Sequence, residues 1–193
     1  MGDLALILAG AGLVNNLILH QLLGVAQATA LSDRVRTAMD FGLAMLLVVP
    51  LAVLTGYGVS RTLIEPLQLQ YLRTPLLALG ALAVILAADL LLARIRSALH
   101  ARLSPYIPLT LANGAVLGPV LIASRDFQGW LPALVYGIGS GTGFALALTL
   151  FAALHERVAS ADVPRPFRGL AILLVTLGLL SMAFLGFTGM DKP

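Results

Sequence analysis

Five polar side chains stand inside apolar sequence, where lipid would leave them unsolvated: Asn15, Asn16, His20, Gln21 and Asn113. Amides and imidazoles at bilayer depth serve in two ways. They hold an ion or cofactor at the midplane, or they hydrogen-bond one helix to another. On a continuous helix Asn16, His20 and Gly24 fall at i, i+4 and i+8, along one face. Asp89 is the sole acid deep in the third apolar run, where a carboxylate marks an ion path or snorkels to the interface. Tyr136-Gly137-Ile138-Gly139-Ser140-Gly141-Thr142-Gly143 imitates a dinucleotide-binding loop, but no strand precedes it. Gly137 with Gly141, and Gly139 with Gly143, instead make small helix faces that a neighbouring helix can approach closely. The sequence has no cysteine, which removes disulfides, thiolate metal ligands and cysteine nucleophiles. No nucleophile–base pair or metal-ligand spacing is visible, so no catalytic residue and no metal ligand is assigned.

The elements that must position these groups are apolar runs long enough to cross a bilayer, at roughly 4–31, 38–60, 74–93, 106–123, 130–154 and 169–188. A hydrocarbon core about 30 Å thick needs about 20 helical residues, and lipid admits only helices or closed barrels. The runs are too continuous for barrel strands. An all-α membrane protein of six spans follows, a single integral domain over 1–193 with no room in its loops for an extramembrane enzyme domain. Composition agrees: 59% of residues are hydrophobic and 11% charged, with a mean hydropathy of +0.96. The pI near 9.8 reflects a net charge of only +3 spread among loops, which argues against nucleic acid as a partner. With no basic residue before Arg34, the start lacks a signal-peptide n-region and the first span is expected to be retained.

Basic residues near span ends set orientation. Arg34, Arg36, Arg94, Arg96, Arg102, Arg157, Arg165 and Arg168 lie on one side, against Arg61, Arg73, Arg125 and Lys192 on the other. The first group is therefore expected in the cytoplasm and both termini outside. Two halves, about 1–95 and 96–193, echo one another: Leu13-Val14-Asn15-Asn16 against Leu111-Ala112-Asn113-Gly114, and Gly42-Leu43-Ala44 against Gly143-Phe144-Ala145. Three spans per half make the repeats inverted. The first span is overlong and breaks most readily at Leu23-Gly24-Val25-Ala26-Gln27, while Pro105, Pro108 and Pro119 surround Asn113-Gly114 in the fourth. Interrupted spans at matching places in inverted halves build midplane sites in transporters.

Several strings carry a family resemblance: Leu13-Val14-Asn15-Asn16, Gln70-Tyr71-Leu72-Arg73-Thr74, Ala115-Val116-Leu117-Gly118, Tyr136 to Phe144, Ala161-Asp162-Val163-Pro164-Arg165-Pro166-Phe167-Arg168-Gly169 and Gly186-Phe187-Thr188-Gly189. The chain resembles, end to end, the A-type member of Rnf complexes and, less closely, the E-type member of the sodium-pumping NADH:quinone reductase. The resemblance implies a six-helix subunit of the bacterial inner membrane, paired with a homologous inverted subunit (RnfE/NqrD-like) and with further Rnf subunits. Such a complex couples electron transfer between ferredoxin and NAD to ion translocation, with flavins confined to partner subunits. The family also carries one cysteine in each broken helix, which together with the partner's bind an interface [2Fe–2S] cluster. Here those positions are Ala26 and Gly114, neither of which can donate a thiolate.

Three readings of that substitution are open: a divergent paralogue without the cluster, a cluster held by other means, or an engineered pair of changes. The neighbourhood has drifted too, with Val25-Ala26-Gln27-Ala28 where the family writes apolar-Cys-Pro-Phe, which argues against engineering. Two functions are weighed. The first is a non-catalytic membrane subunit of an Rnf-like complex. The alternative is a small inverted-repeat transporter outside any redox complex, using Asn15, Asn16, His20, Asn113 and Asp89 for its substrate.

Overall fold

The computed structural model describes residues 2–32, 34–95, 100–101, 104 and 114–187. Its helices are α1 (Gly2–Ala9), which continues as a π turn over Gly10–Val14, then α2 (Val25–Leu31), α3 (Val35–Val59) with a second π turn at Ser60–Ile64, α4 (Arg73–Ile95), α5 (Gly114–Asp126), α6 (Trp130–Ala159) and α7 (Leu170–Leu185). Among the described residues there is no strand. The fold class is therefore a helical membrane protein. Among the described residues three helices are long and apolar enough to cross a bilayer unaided, Val35–Ile64, Gln70–Leu91 and Trp130–Ala159, while Asp3–Val14 and Leu170–Leu185 are shorter apolar helices. Pro105, Pro108 and Asn113 of the fourth run lie outside the described residues. The helix runs past 123, the expected end of the fourth span, and closes with Arg125 and Asp126 as the last residues of α5.

Threonines within the helices bond their own backbone. Thr55, Thr142, Thr149 and Thr176 each donate to the carbonyl four residues earlier, at 2.7–2.9 Å. That satisfies hydroxyls that lipid cannot. The central pair is α3 and α6, more than half buried along their most apolar stretches (56% each), whereas α4 is peripheral at 17%. Phe41, Met45, Phe144 and Phe151 are wholly buried between them, and the rings of Phe41 and Phe144 meet edge to face at 5.9 Å. The two echoing strings face each other here: a Cβ on Gly42 would sit 3.1 Å from Cα of Ala145. Outward-facing Leu79, Leu86, Leu90, Leu174 and Leu179 form the apolar coat expected toward lipid.

In lipid, helices associate by close packing and hydrogen bonds, since apolar burial drives little there. The glycine string of α6 supplies that packing on two sides. A Cβ on Gly137 would lie 2.9 Å from Cα of Pro50, and one on Gly141 3.2 Å from Cα of Leu46, both on α3. Gly139 faces α1, where a Cβ would meet the carbonyl oxygen of Leu8 at 2.8 Å, and Gly143 faces the π turn at Gly12. At the far end of α6, Ser32 Oγ and His155 Nδ1 are 2.9 Å apart. Glu156 Oε1 accepts from the N–H of Val35 at 2.8 Å, filling a donor that the start of α3 leaves open.

Candidate functional site

The first span is interrupted, and the interruption begins well before the glycine at which it ends. Helical bonding ends at Val14 in the π turn, closed by the N–H of Asn15 to the carbonyl of Gly10 at 2.7 Å. Residues 15–24 are non-helical and α2 begins at Val25, so the break takes in Leu23 and Gly24 of the expected Leu23–Gln27 but starts eight residues before them. The expected alignment of Asn16, His20 and Gly24 along one helix face is therefore absent: Asn16 is buried and His20 exposed.

Asn16 is the cause. Its Nδ2 donates to the carbonyls of Gly12 at 2.9 Å and Gly143 at 2.7 Å. Its Oδ1 accepts from the N–H groups of Ile18 at 3.1 Å and Leu19 at 3.3 Å. A side chain that binds two backbone donors ahead of it competes with continued helix and starts a new turn. The turn then closes on itself, with the N–H groups of His20 and Gln21 both reaching the carbonyl of Asn16, at 2.9 and 3.2 Å. Leu22 at φ 56° and Gly24 at φ 86° complete the reversal, and only glycine adopts the latter without steric cost. Because Leu17, Ile18 and Leu19 are buried in protein, irregular backbone is tolerated at this depth.

Beside this break lies a cavity of about 440 Å³, bounded by α1, the π turn, the end of α5 and the start of α6. Its polar lining is Asn15, Gln21, Asp126 and Tyr136, set among Leu6, Ile122 and Phe127. Tyr136 packs its ring on Phe127 at 5.2 Å between centroids. Arg61 fixes that wall: its Nη2 donates to the carbonyl of Phe127 at 3.0 Å, Nη1 bonds Glu65 at 2.7 Å, and its guanidinium lies 5.4 Å from the Tyr57 ring centroid. Arg61→Gln is expected to loosen this corner by about 1 kcal/mol, since a partly exposed pair is worth little but the carbonyl bond is also lost. A drop of a few degrees in the melting midpoint in detergent would check it.

The candidates thus separate. Asn15 and Gln21 share the cavity, and Asn16 spends its bonding capacity below it. His20 borders a recess of only about 10 Å³ against Ser181, Phe184 and Leu185 of α7, room for about one water. Asp89 stands about 24 Å along α4 from Arg73, at the opposite end of the bundle, with its Oδ1 2.8 Å from Nε2 of His100. Asn113 lies outside the described residues. Sequence reasoning missed Asp126 and Tyr136 as site residues. The signals were present in an acid closing an apolar run and a tyrosine heading the glycine string, but only the displaced break makes them neighbours of Asn15.

Ala26 is exposed on α2 and Gly114 opens α5. Leu23 fills the space beside Gly114: its Cδ2 lies 3.3 Å from where a Cβ on Gly114 would stand, and its Cδ1 occupies the place of a Cβ on Gly118. Among the described residues no three His, Cys, Asp or Glu side chains gather as a metal site. An alanine methyl, a glycine and a leucine side chain offer no donor to iron, so these residues do not fit a share in an iron–sulfur cluster.

An interrupted first span bolted to a glycine-faced central helix, among several apolar helices, defines a multi-pass helical membrane protein. Residues 4–191 match the family described as "Rnf-Nqr subunit, membrane protein", and the chain belongs to that family. Over its whole length, and theirs, it is similar to the A-type members of ion-translocating oxidoreductase complexes from Azotobacter vinelandii (43% identical over 194 residues), Pseudoalteromonas translucida (41% over 192) and Pseudomonas aeruginosa strain LESB58 (42% over 194).

Proposed function

We propose that the chain is a non-catalytic membrane subunit of an Rnf-type complex that couples electron transfer between ferredoxin and NAD to ion translocation across the bacterial inner membrane. The observation that carries this reading is the end-to-end likeness to A-type members of ion-translocating oxidoreductase complexes. The proposed arrangement has six spans in two inverted halves, about 1–95 and 96–193, with both termini periplasmic. The contact of Gly42 with Ala145 and of Phe41 with Phe144 supports it, because matching strings of two inverted repeats meet on their shared axis. A homologous inverted subunit (RnfE/NqrD-like) is the proposed membrane partner, and flavins belong to other subunits.

Within the complex this chain is a divergent scaffold and ion-path subunit that brings no iron ligand of its own. Asn15 is the residue of the midplane set nearest an open cavity, while His20, Asn113 and Asp89 are placed on the remaining path. Asn16, Gly137, Gly139, Gly141 and Gly143 hold the broken span in position.

Affinity purification through a tag on this chain tests the reading. Flavoprotein and iron–sulfur subunits should accompany it, and reduced ferredoxin with NAD should drive cation uptake into inverted vesicles. Isolation of the chain without redox subunits, from cells expressing it natively, would overturn the proposal in favour of a stand-alone transporter.

A further inference from the structure

We infer that the cavity between the first-span break and Asp126 is a half-channel for a monovalent metal cation, open to the face on which α1 begins, with Asp126 as its mouth carboxylate. The inference rests on the ion-translocating reading above and assigns that function a place in this chain. Four polar side chains from three separate segments, Asn15 and Gln21 of the break, Asp126 of α5 and Tyr136 of α6, converge on one cavity of about 440 Å³. Among the described residues no basic side chain lines it. Asp126 thus gives the lining one negative formal charge, and the amide and phenol oxygens add neutral acceptors, a donor set for a hard cation of single charge. The end of the π turn reaches the same space, since Gly10, Ala11 and Asn15 all line it. That brings up the negative pole of the helix, where unwound carbonyls commonly meet alkali cations.

The floor is closed. Asn16 joins the π turn to Gly143 of α6 through its two donated bonds, and the backbones of Gly12 and Gly143 are in contact. Ser140 Oγ, one turn beyond Tyr136 toward that closure, is buried and is neighboured by the Tyr136 side chain. Asp89 and its His100 partner stand at the other end of the bundle, so the cavity has one mouth carboxylate and is not continuous with that pair.

The absence of native cysteine makes the test direct. Asn15→Cys and Gln21→Cys, made singly in the full chain within its native membrane complex, each introduce one thiol in this chain. Right-side-out and inverted vesicles are then treated with membrane-impermeant cationic and anionic methanethiosulfonates, and modification of this chain is read by mass. Both thiols should react from the Asp126 face alone, and the cationic reagent should be faster by about tenfold, the order expected of a single carboxylate in a low-dielectric cleft. Asp126→Asn should abolish that preference, and sodium or potassium in place of N-methylglucamine should slow the reaction. Modification from the opposite face, no modification at either position while the denatured chain labels fully, equal rates for both reagents, or no protection by small cations would each overturn the proposal. The readout needs no electron transfer. If redox subunits fail to co-purify while labelling behaves as expected, the complex assignment falls and the half-channel stands.

Discussion

Gly143→Ala is expected to detach the first span from α6. The added Cβ would stand 2.7 Å from Cα and 2.9 Å from the carbonyl carbon of Gly12, and it would press on the Gly12 carbonyl oxygen. All three atoms are backbone, so no side-chain rotation relieves the clash. Moving the helices apart also stretches the bond from Asn16 to the Gly143 carbonyl, now 2.7 Å. Overpacking of this kind costs about 1–3 kcal/mol, and the strained amide network adds to it. An SDS-unfolding titration should show the loss, with Gly58→Ala as the control, because a Cβ there meets nothing within 4 Å. Equal stability of the two variants would show that the α1–α6 contact is not the close approach described.

Asn16→Leu is expected to be comparably damaging by a different route. The substitution leaves the N–H groups of Ile18 and Leu19 without their acceptor, in a segment that is at most 5% exposed. Two buried donors without partners cost about 2–4 kcal/mol together, the lower figure if the break rearranges to find new acceptors, as polar groups in membranes often do. Hydrogen exchange at residues 17–21 should rise sharply. His20→Leu, four residues on at an exposed position, should change stability by less than about 0.5 kcal/mol. Comparable exchange in both variants would mean that Asn16 does not hold the break.

Period and length were enough to read the membrane class. Runs such as 130–154 are too apolar and too long for anything but a spanning helix, and α6 extends past that run to Ala159, with His155 meeting Ser32 and Glu156 meeting the N–H of Val35. The four-residue glycine spacing shows that α6 has two small faces, but not that one receives α1 and the other α3. The far end of the break was legible at Gly24, but not its start. Gly24 advertises a turn, yet the helix ends at Val14 because Asn16 finds the Gly143 carbonyl 127 residues away, a partner that no local pattern reveals. The cavity was hidden for the same reason. Asp126 and Tyr136 become neighbours of Gln21 only once residues 15–24 turn aside. The pairing of Gly42 with Ala145 had a trace in the sequence, the echo of two short strings, although apolar segments often match by chance.

Ala26 and Gly114, the positions at which the resemblance implies cysteines, carry no sulfur in this chain, and Leu23 packs beside Gly114. Iron and acid-labile sulfide, measured in the complex after the peripheral flavin and iron–sulfur subunits are stripped from the membrane pair, test the loss of the cluster most directly. The prediction is no stoichiometric iron in the remaining pair. Two irons and two sulfides per pair would contradict it.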